Sequence, residues 1–229
     1  MPSKINTPLI LVNFKTYREA SGDNAARLAR IIEKVRRQTG VCVGLAPQFV
    51  DIAPIAQIVS APIFAQHVDP IDGGSFTGHV LPQSIRAAGA VGTLINHSER
   101  RLRLADIDTA IQQSRKVGLT SVVCTNNQAV SAAVAALKPD MIAVEPPELI
   151  GTGVPVSQAQ PRVVEDTVKA VKQMDPNIIV LCGAGITKAD DVAAAMKLGT
   201  EGVLVASGVV KAKDPFKVLS RFAERLTTH

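Results

Sequence analysis

Eight short apolar runs recur along the chain: PLILVN, VCVGLA, PIFAQ, GTLINH, TSVVCT, MIAVE, IIVLCG and GVLVAS. Most show no alternation of apolar and polar residues. A strand with one wet face alternates, whereas a strand that is apolar at every position is buried on both faces, the condition of a parallel strand covered by helices. Helical patterns lie between the runs. In AARLARIIEKVRRQTG the residues Leu28, Ile31, Ile32 and Val35 recur at helical spacing and Gly40 marks a C-terminal stop. The chain therefore reads β then α, repeated. Eight units in 229 residues give about 29 residues each, near the lower bound for a βα repeat. No linker or second composition regime interrupts them. The expectation is an α/β protein, a single (β/α)8 barrel domain over residues 1–229. An open doubly wound sheet fits less well, because LVNFKTYREASG after the first strand has no G-x-G-x-x-G turn.

With 46% hydrophobic residues the chain can bury a large core. Its 25 basic and 20 acidic residues leave a net charge of +5, a mild bias toward small anionic ligands. One Tyr and no Trp leave too few stacking surfaces for single-stranded nucleic acid, so no nucleic-acid partner is expected. The basic stretch ERRLRLAD reads as a solvated helix face. Cys42, Cys124 and Cys182 sit in or at the end of apolar runs without a C-x-x-C, which suits core thiols in a reducing compartment. The N-terminal apolar run is broken by Asn13 and Lys15 and is followed by no cleavage site. No run approaches the ~18 apolar residues of a membrane span. A cytoplasmic protein without membrane attachment is expected.

In a (β/α)8 barrel the C-terminal strand ends gather at one face and carry the site. Here they offer Asn13 and Lys15 after the first strand, His97 after the fourth and Glu145 after the sixth. The seventh and eighth end in small residues, Gly183-Ala184-Gly185 and Ala206-Ser207-Gly208. Small side chains let backbone N–H groups approach an anion closely. Each signal also has a plain structural reading. Lys15 could be a surface lysine, His97 a structural histidine followed by Ser98 as a helix N-cap, and Glu145 a solvent-facing strand end. Thr187 and Asp190 have the spacing of a capping box. What favours a site is that a carboxylate, an imidazole, an ammonium and two amide-rich turns fall at one end of the same barrel.

The segments VNFK, INHSERR, VEPPELIGTG, CGAG and VLVASG, in this order from Asn13 to Lys211, resemble the triosephosphate isomerase family, closest to its short archaeal form. The resemblance implies a TIM barrel that interconverts dihydroxyacetone phosphate and D-glyceraldehyde 3-phosphate without a cofactor or metal, in glycolysis and gluconeogenesis. It implies Glu145, His97 and Lys15 as catalytic residues, and Asn13, Lys15, Ile150, Gly151, Gly185, Ala206 and Ser207 as substrate contacts. Glu99 takes a supporting role near Lys15 and His97. The family's usual YGGS turn is CGAG here, so Gly185 offers only an amide where relatives have a hydroxyl. The stretch from Asn126 to Pro139 is short, which in the short form of the family goes with a homotetramer, and GGSFTGHVLP resembles the interlocking subunit loop. Two other readings stay open on the turns alone: another phosphate-binding barrel, such as an epimerase or a synthase, and a non-catalytic sugar-phosphate binder.

Overall fold

A computed structural model of the protein describes residues 5–146 and 154–227. Eight parallel strands form one sheet: β1 (Leu9–Asn13), β2 (Cys42–Ala46), β3 (Phe64–Ala65), β4 (Gly92–Ile95), β5 (Thr120–Thr125), β6 (Met141–Val144), β7 (Ile179–Cys182) and β8 (Gly202–Val205). Each of the eight apolar runs supplies one strand. The sheet runs β2-β1-β8-β7-β6-β5-β4-β3. A parallel bridge between Leu45 and Ile63 brings its two ends together, with the Leu45 N–H donating to the Pro62 carbonyl at 3.0 Å. Closure makes this a (β/α)8 TIM barrel.

Strand parity divides the core in two. Leu9, Leu11, Phe64, Leu94, Val122, Cys124, Met141, Ala143, Leu181 and Leu204 fill the barrel interior. The alternate residues, among them Ile10, Val12, Val43, Ile95, Val123, Ile142, Val144 and Val203, face the helices. Both sets are buried, which explains the absence of polar alternation in the runs. The interior is tight around Phe64. A Cβ on Gly92 would lie 2.4 Å from its ring and one on Gly44 at 3.2 Å, so the strands flanking β3 supply glycine where the ring needs room.

The covering helices follow from their apolar stripes. Helix α1 (Asp23–Thr39) buries Leu28, Ile32 and Val35, leaves Ile31 half-buried, and ends at Gly40, whose φ of 73° closes a bond from its N–H to the Arg36 carbonyl. Glu33 is buried on this helix and is held by Arg37 and Ser60. The remaining helices are α2 (Phe49–Ala56), α3 (Pro82–Ala87), α4 (Leu104–Lys116), α5 (Gln128–Ala135), α6 (Val156–Ala159), α7 (Pro161–Met174), α8 (Ala189–Lys197), α9 (Ser207–Val210) and α10 (Pro215–Thr227). Among the described residues no helix is long and apolar enough to cross a membrane.

Three local expectations are corrected. The basic stretch ERRLRLAD is a helix only from Leu104, because Arg100 and Arg101 are drawn to Asp69 and to the Asn96 carbonyl. Ser98 accordingly caps no helix, and Arg103 occupies the N-cap of α4. The carboxylate that caps α8 is Asp191, which accepts from the N–H groups of Lys188 and Thr187 at 2.8 and 3.0 Å. Asp190 instead pairs with Arg225 at 3.0 Å.

Candidate active site

Parity also aims the functional groups. Asn13 continues the inward set Leu9, Leu11, and Glu145 continues Met141, Ala143, so both side chains point into the mouth of the barrel. Together with Lys15 and His97 they line a cleft whose far wall is Ala184, Gly185, Ala206 and Ser207. The Asn13, Lys15, His97, Glu145, Gly185, Ala206 and Ser207 named from the sequence are thus brought together. Ile150 and Gly151 lie outside the described residues.

His97 enters the cleft because the chain turns sharply after β4. Asn96 has φ 60°, donates from Nδ2 to the Cys124 carbonyl at 2.9 Å and accepts the Leu102 N–H at 2.9 Å. This brings the Glu99 N–H to His97 Nδ1 at 3.2 Å. A nitrogen that accepts from an amide carries no hydrogen, so the ring hydrogen sits on Nε2. That Nε2 stands 3.6 Å from Glu145 Oε2, and both side chains are about 7% exposed. Glu145 Oε2 is buried without a hydrogen-bond partner among the described residues. A carboxylate oxygen in that condition is costly, and such an atom at the floor of a cleft is a place for an incoming proton donor.

Lys15 is fixed at both ends. Its backbone N–H donates to Asn13 Oδ1 at 2.9 Å, its carbonyl accepts from Gln66 Nε2 at 2.9 Å, and its Nζ reaches Glu99 Oε1 at 2.8 Å. The other oxygen of Glu99 lies 3.5 Å from His97 Nδ1. Lys15, Glu99, His97 and Glu145 form one connected line of charge and hydrogen bonds across the mouth. Among the described residues, four non-glycine residues have positive φ: Lys15, Asn96, Lys138 and Ala184. Three of the four, Lys15, Asn96 and Ala184, lie in the cleft or beside it, each at a cost of about 1–2 kcal/mol of backbone strain.

The opposite wall is made of backbone. Ala184 and Gly185 have φ of 68° and 71°. A Cβ on Gly185 would lie 1.8 Å from the Val154 carbonyl oxygen, so only glycine lets residue 154 close over this turn. Gly183 performs the same service for Glu145, whose Cγ would meet a Cβ there at 2.4 Å. After β8, Ala206 is the N-cap of the four-residue α9, whose first amides have no partner within the helix.

Several neighbours of the site are not among the residues picked from the sequence. Gln66 ends the PIFAQ run, and the strand-end rule reaches it. Cys124 ends an inward row on β5, where burial and then the adjacent Glu145 carboxylate hold its thiol well above the usual range. Burial chiefly, with Glu145 adding to it, pushes the Cys182 thiol up to about 12. Tyr17 lines the cleft two residues beyond Lys15. Its presence depends on a tertiary contact that sequence spacing does not encode.

A family model described as triosephosphate isomerase matches residues 8–223. The triosephosphate isomerase of Methanocaldococcus jannaschii is 57% identical over 206 residues, which is 90% of this chain and 94% of that one. That of Methanobrevibacter smithii is 54% identical over 97% of this chain and all of its own length, and that of Methanobacterium bryantii is 53% identical over 93% and 94%. The chain belongs to the triosephosphate isomerase family.

Proposed function

We propose that this protein interconverts dihydroxyacetone phosphate and D-glyceraldehyde 3-phosphate through an enediol, without a cofactor, in glycolysis and gluconeogenesis. The observation that carries the reading is the facing pair of Glu145 Oε2, buried and without a hydrogen-bond partner among the described residues, and His97 Nε2, which bears the ring hydrogen. Glu145 takes the proton from the carbon beside the carbonyl, and the C–H electrons form the carbon–carbon double bond as the carbonyl electrons move to oxygen. His97 Nε2–H and Lys15 Nζ stabilise the charge that develops there, worth most where water is excluded. His97 Nε2–H gives its hydrogen to that oxygen, making the enediol, and takes up the hydroxyl hydrogen from the neighbouring oxygen. As that oxygen re-forms a carbonyl, the double-bond electrons take the proton that Glu145 returns to the adjacent carbon. A base of this kind supplies about 10²–10⁴ in rate. Asn13 holds Lys15 in place through its N–H.

The phosphate is assigned to the amides of Gly185, Ala206 and Ser207 on the far wall, with Ile150 and Gly151 adding contacts from their own segment. Binding energy from a group remote from the reacting carbons can then be used for orientation. A coupled assay with the purified protein tests the reading. Interconversion is expected, and its absence from folded protein contradicts the proposal.

The assembly is assigned as a homotetramer. Supporting this, Phe76 is 45% exposed on the 72–79 loop, and a depression beside Lys15 is lined by Tyr17, Phe49, Gln66 and Arg100. Helix α5 is only eight residues long, leaving little to cover that side of the barrel. Sedimentation analysis showing a monomer would refute the assignment. The free thiols of Cys42, Cys124 and Cys182 suit a cytoplasmic location.

A further inference from the structure

Lys211 follows α9 directly, and its N–H donates to the Ser207 carbonyl at 3.0 Å. Its Nζ stands 4.4 Å from the centroid of the Tyr17 ring. A cation over an aromatic face is attracted by the ring quadrupole. Tyr17 belongs to the loop that leaves β1, two residues after Lys15, whose backbone is left-handed at φ 47°. The base of that loop is held by Asn13 and Gln66. Beyond it, the Tyr17 N–H makes a long 3.4 Å bond to the Phe14 carbonyl and the Tyr17 carbonyl accepts from the Ala20 N–H at 3.0 Å. The backbone is thus held within the loop, while Lys211 reaches the ring from outside it.

We infer that Lys211 is a positioning residue, whose ammonium clamps the Tyr17 ring and so ties the loop carrying Lys15 to the Ala206–Ser207 turn. The two loops come from adjacent strands β1 and β8. They carry the two halves of the task, charge stabilisation at the reacting oxygens and anchorage of the distant anion, so a clamp between them fixes their separation. Lys211 itself is exposed and does not line the cleft, which leaves the ring as its route of action. The inference rests on the isomerase reading, since positioning has meaning only for a reaction that Lys15 assists.

Tyr17 is the sole tyrosine of a chain with no tryptophan, so intrinsic emission reports this ring alone. Acrylamide quenching is neutral and is not altered merely by loss of a nearby charge. Lys211→Met is expected to raise the quenching constant, while Lys211→Arg, which keeps a cation over the ring, stays at the wild-type value. In the coupled assay Lys211→Met and Tyr17→Leu each lower kcat/KM by about 2- to 5-fold, and the double variant falls no further than either single one. Lys211→Arg restores kcat/KM. Unchanged quenching in Lys211→Met, losses that multiply in the double variant, or a lowered Tm with kcat/KM intact overturns the inference. A wild-type protein without isomerase activity sinks the isomerase reading and the positioning role with it. Quenching then still decides whether the clamp exists.

Discussion

Replacing Gly183 by alanine perturbs Glu145, the proposed base, without changing its chemistry. The backbone at 183 does not require glycine, so the added methyl acts by bulk alone. It would stand 2.4 Å from Glu145 Cγ, 2.7 Å from Oε1 and 2.8 Å from Cδ. Ordinary contact begins at 3.4 Å, so the carboxylate arm must retreat by about 1 Å. A displacement of that size in a reacting group costs on the order of 10² in rate, or about 2.7 kcal/mol of transition-state stabilisation. Overpacking also lowers fold stability by about 1–3 kcal/mol, which a large barrel survives. The expected outcome is a folded protein whose kcat falls about 10²-fold while inorganic phosphate inhibits it as well as before. The turns proposed to hold the phosphate are unaltered. Phosphate inhibition and kcat are read from one coupled assay, with circular dichroism as the check on folding. A folded Gly183→Ala variant with wild-type kcat would refute the placement of Glu145 as the base.

Other perturbations separate the remaining roles. Glu145→Asp withdraws the carboxylate along the same axis and should slow turnover by about 10² or more with phosphate inhibition unchanged. A collapse of phosphate affinity at constant kcat would reverse the assignment. Asp191→Ala strands the N–H groups of Thr187 and Lys188 that its carboxylate accepts. The cost is about 1–3 kcal/mol, roughly 2–12 °C in Tm by calorimetry for a chain of this size. Acid sensitivity should centre on His67 and Asp69, paired at 3.0 Å beside Arg100. Burial chiefly holds the His67 imidazole below its usual 6.5, so its folded form resists protonation and stability declines as pH falls below 6.5. Burial raises the Asp69 carboxyl, but the Val80 N–H and His67 outweigh it and hold the group below its usual 3.8, so its contribution is lost only at lower pH. His67→Gln should flatten the decline in urea midpoint between about pH 6.5 and 5, and an unchanged profile would exclude His67 as its source.

The barrel was legible because a parallel strand covered on both faces leaves a plain mark, a run without alternation, and all eight runs became strands. The same parity carries Asn13 and Glu145 inward from the ends of their runs. What the sequence could not supply was the local geometry that turns side chains onto one another. The tautomer of His97 depends on the left-handed Asn96 and on one amide, that of Glu99. Neither follows from composition or spacing. Asp190 and Asp191 are equally plausible caps by residue type, and only the path of the chain after β7 selects Asp191. The ERRLRLAD stretch has helical composition, yet Asp69 and the Asn96 carbonyl compete successfully for its arginines. Lys211 and Tyr17 lie 194 positions apart and meet only because the barrel closes β8 on β1.

Proton transfer at Glu145 is tested most directly by deuterium exchange. With wild-type protein and dihydroxyacetone phosphate in deuterated water, nuclear magnetic resonance should show deuterium entering the carbon next to the carbonyl as isomerisation proceeds. Glu145→Gln should abolish both exchange and interconversion while still binding inorganic phosphate. Exchange that persists in folded Glu145→Gln protein would mean that another group moves the proton.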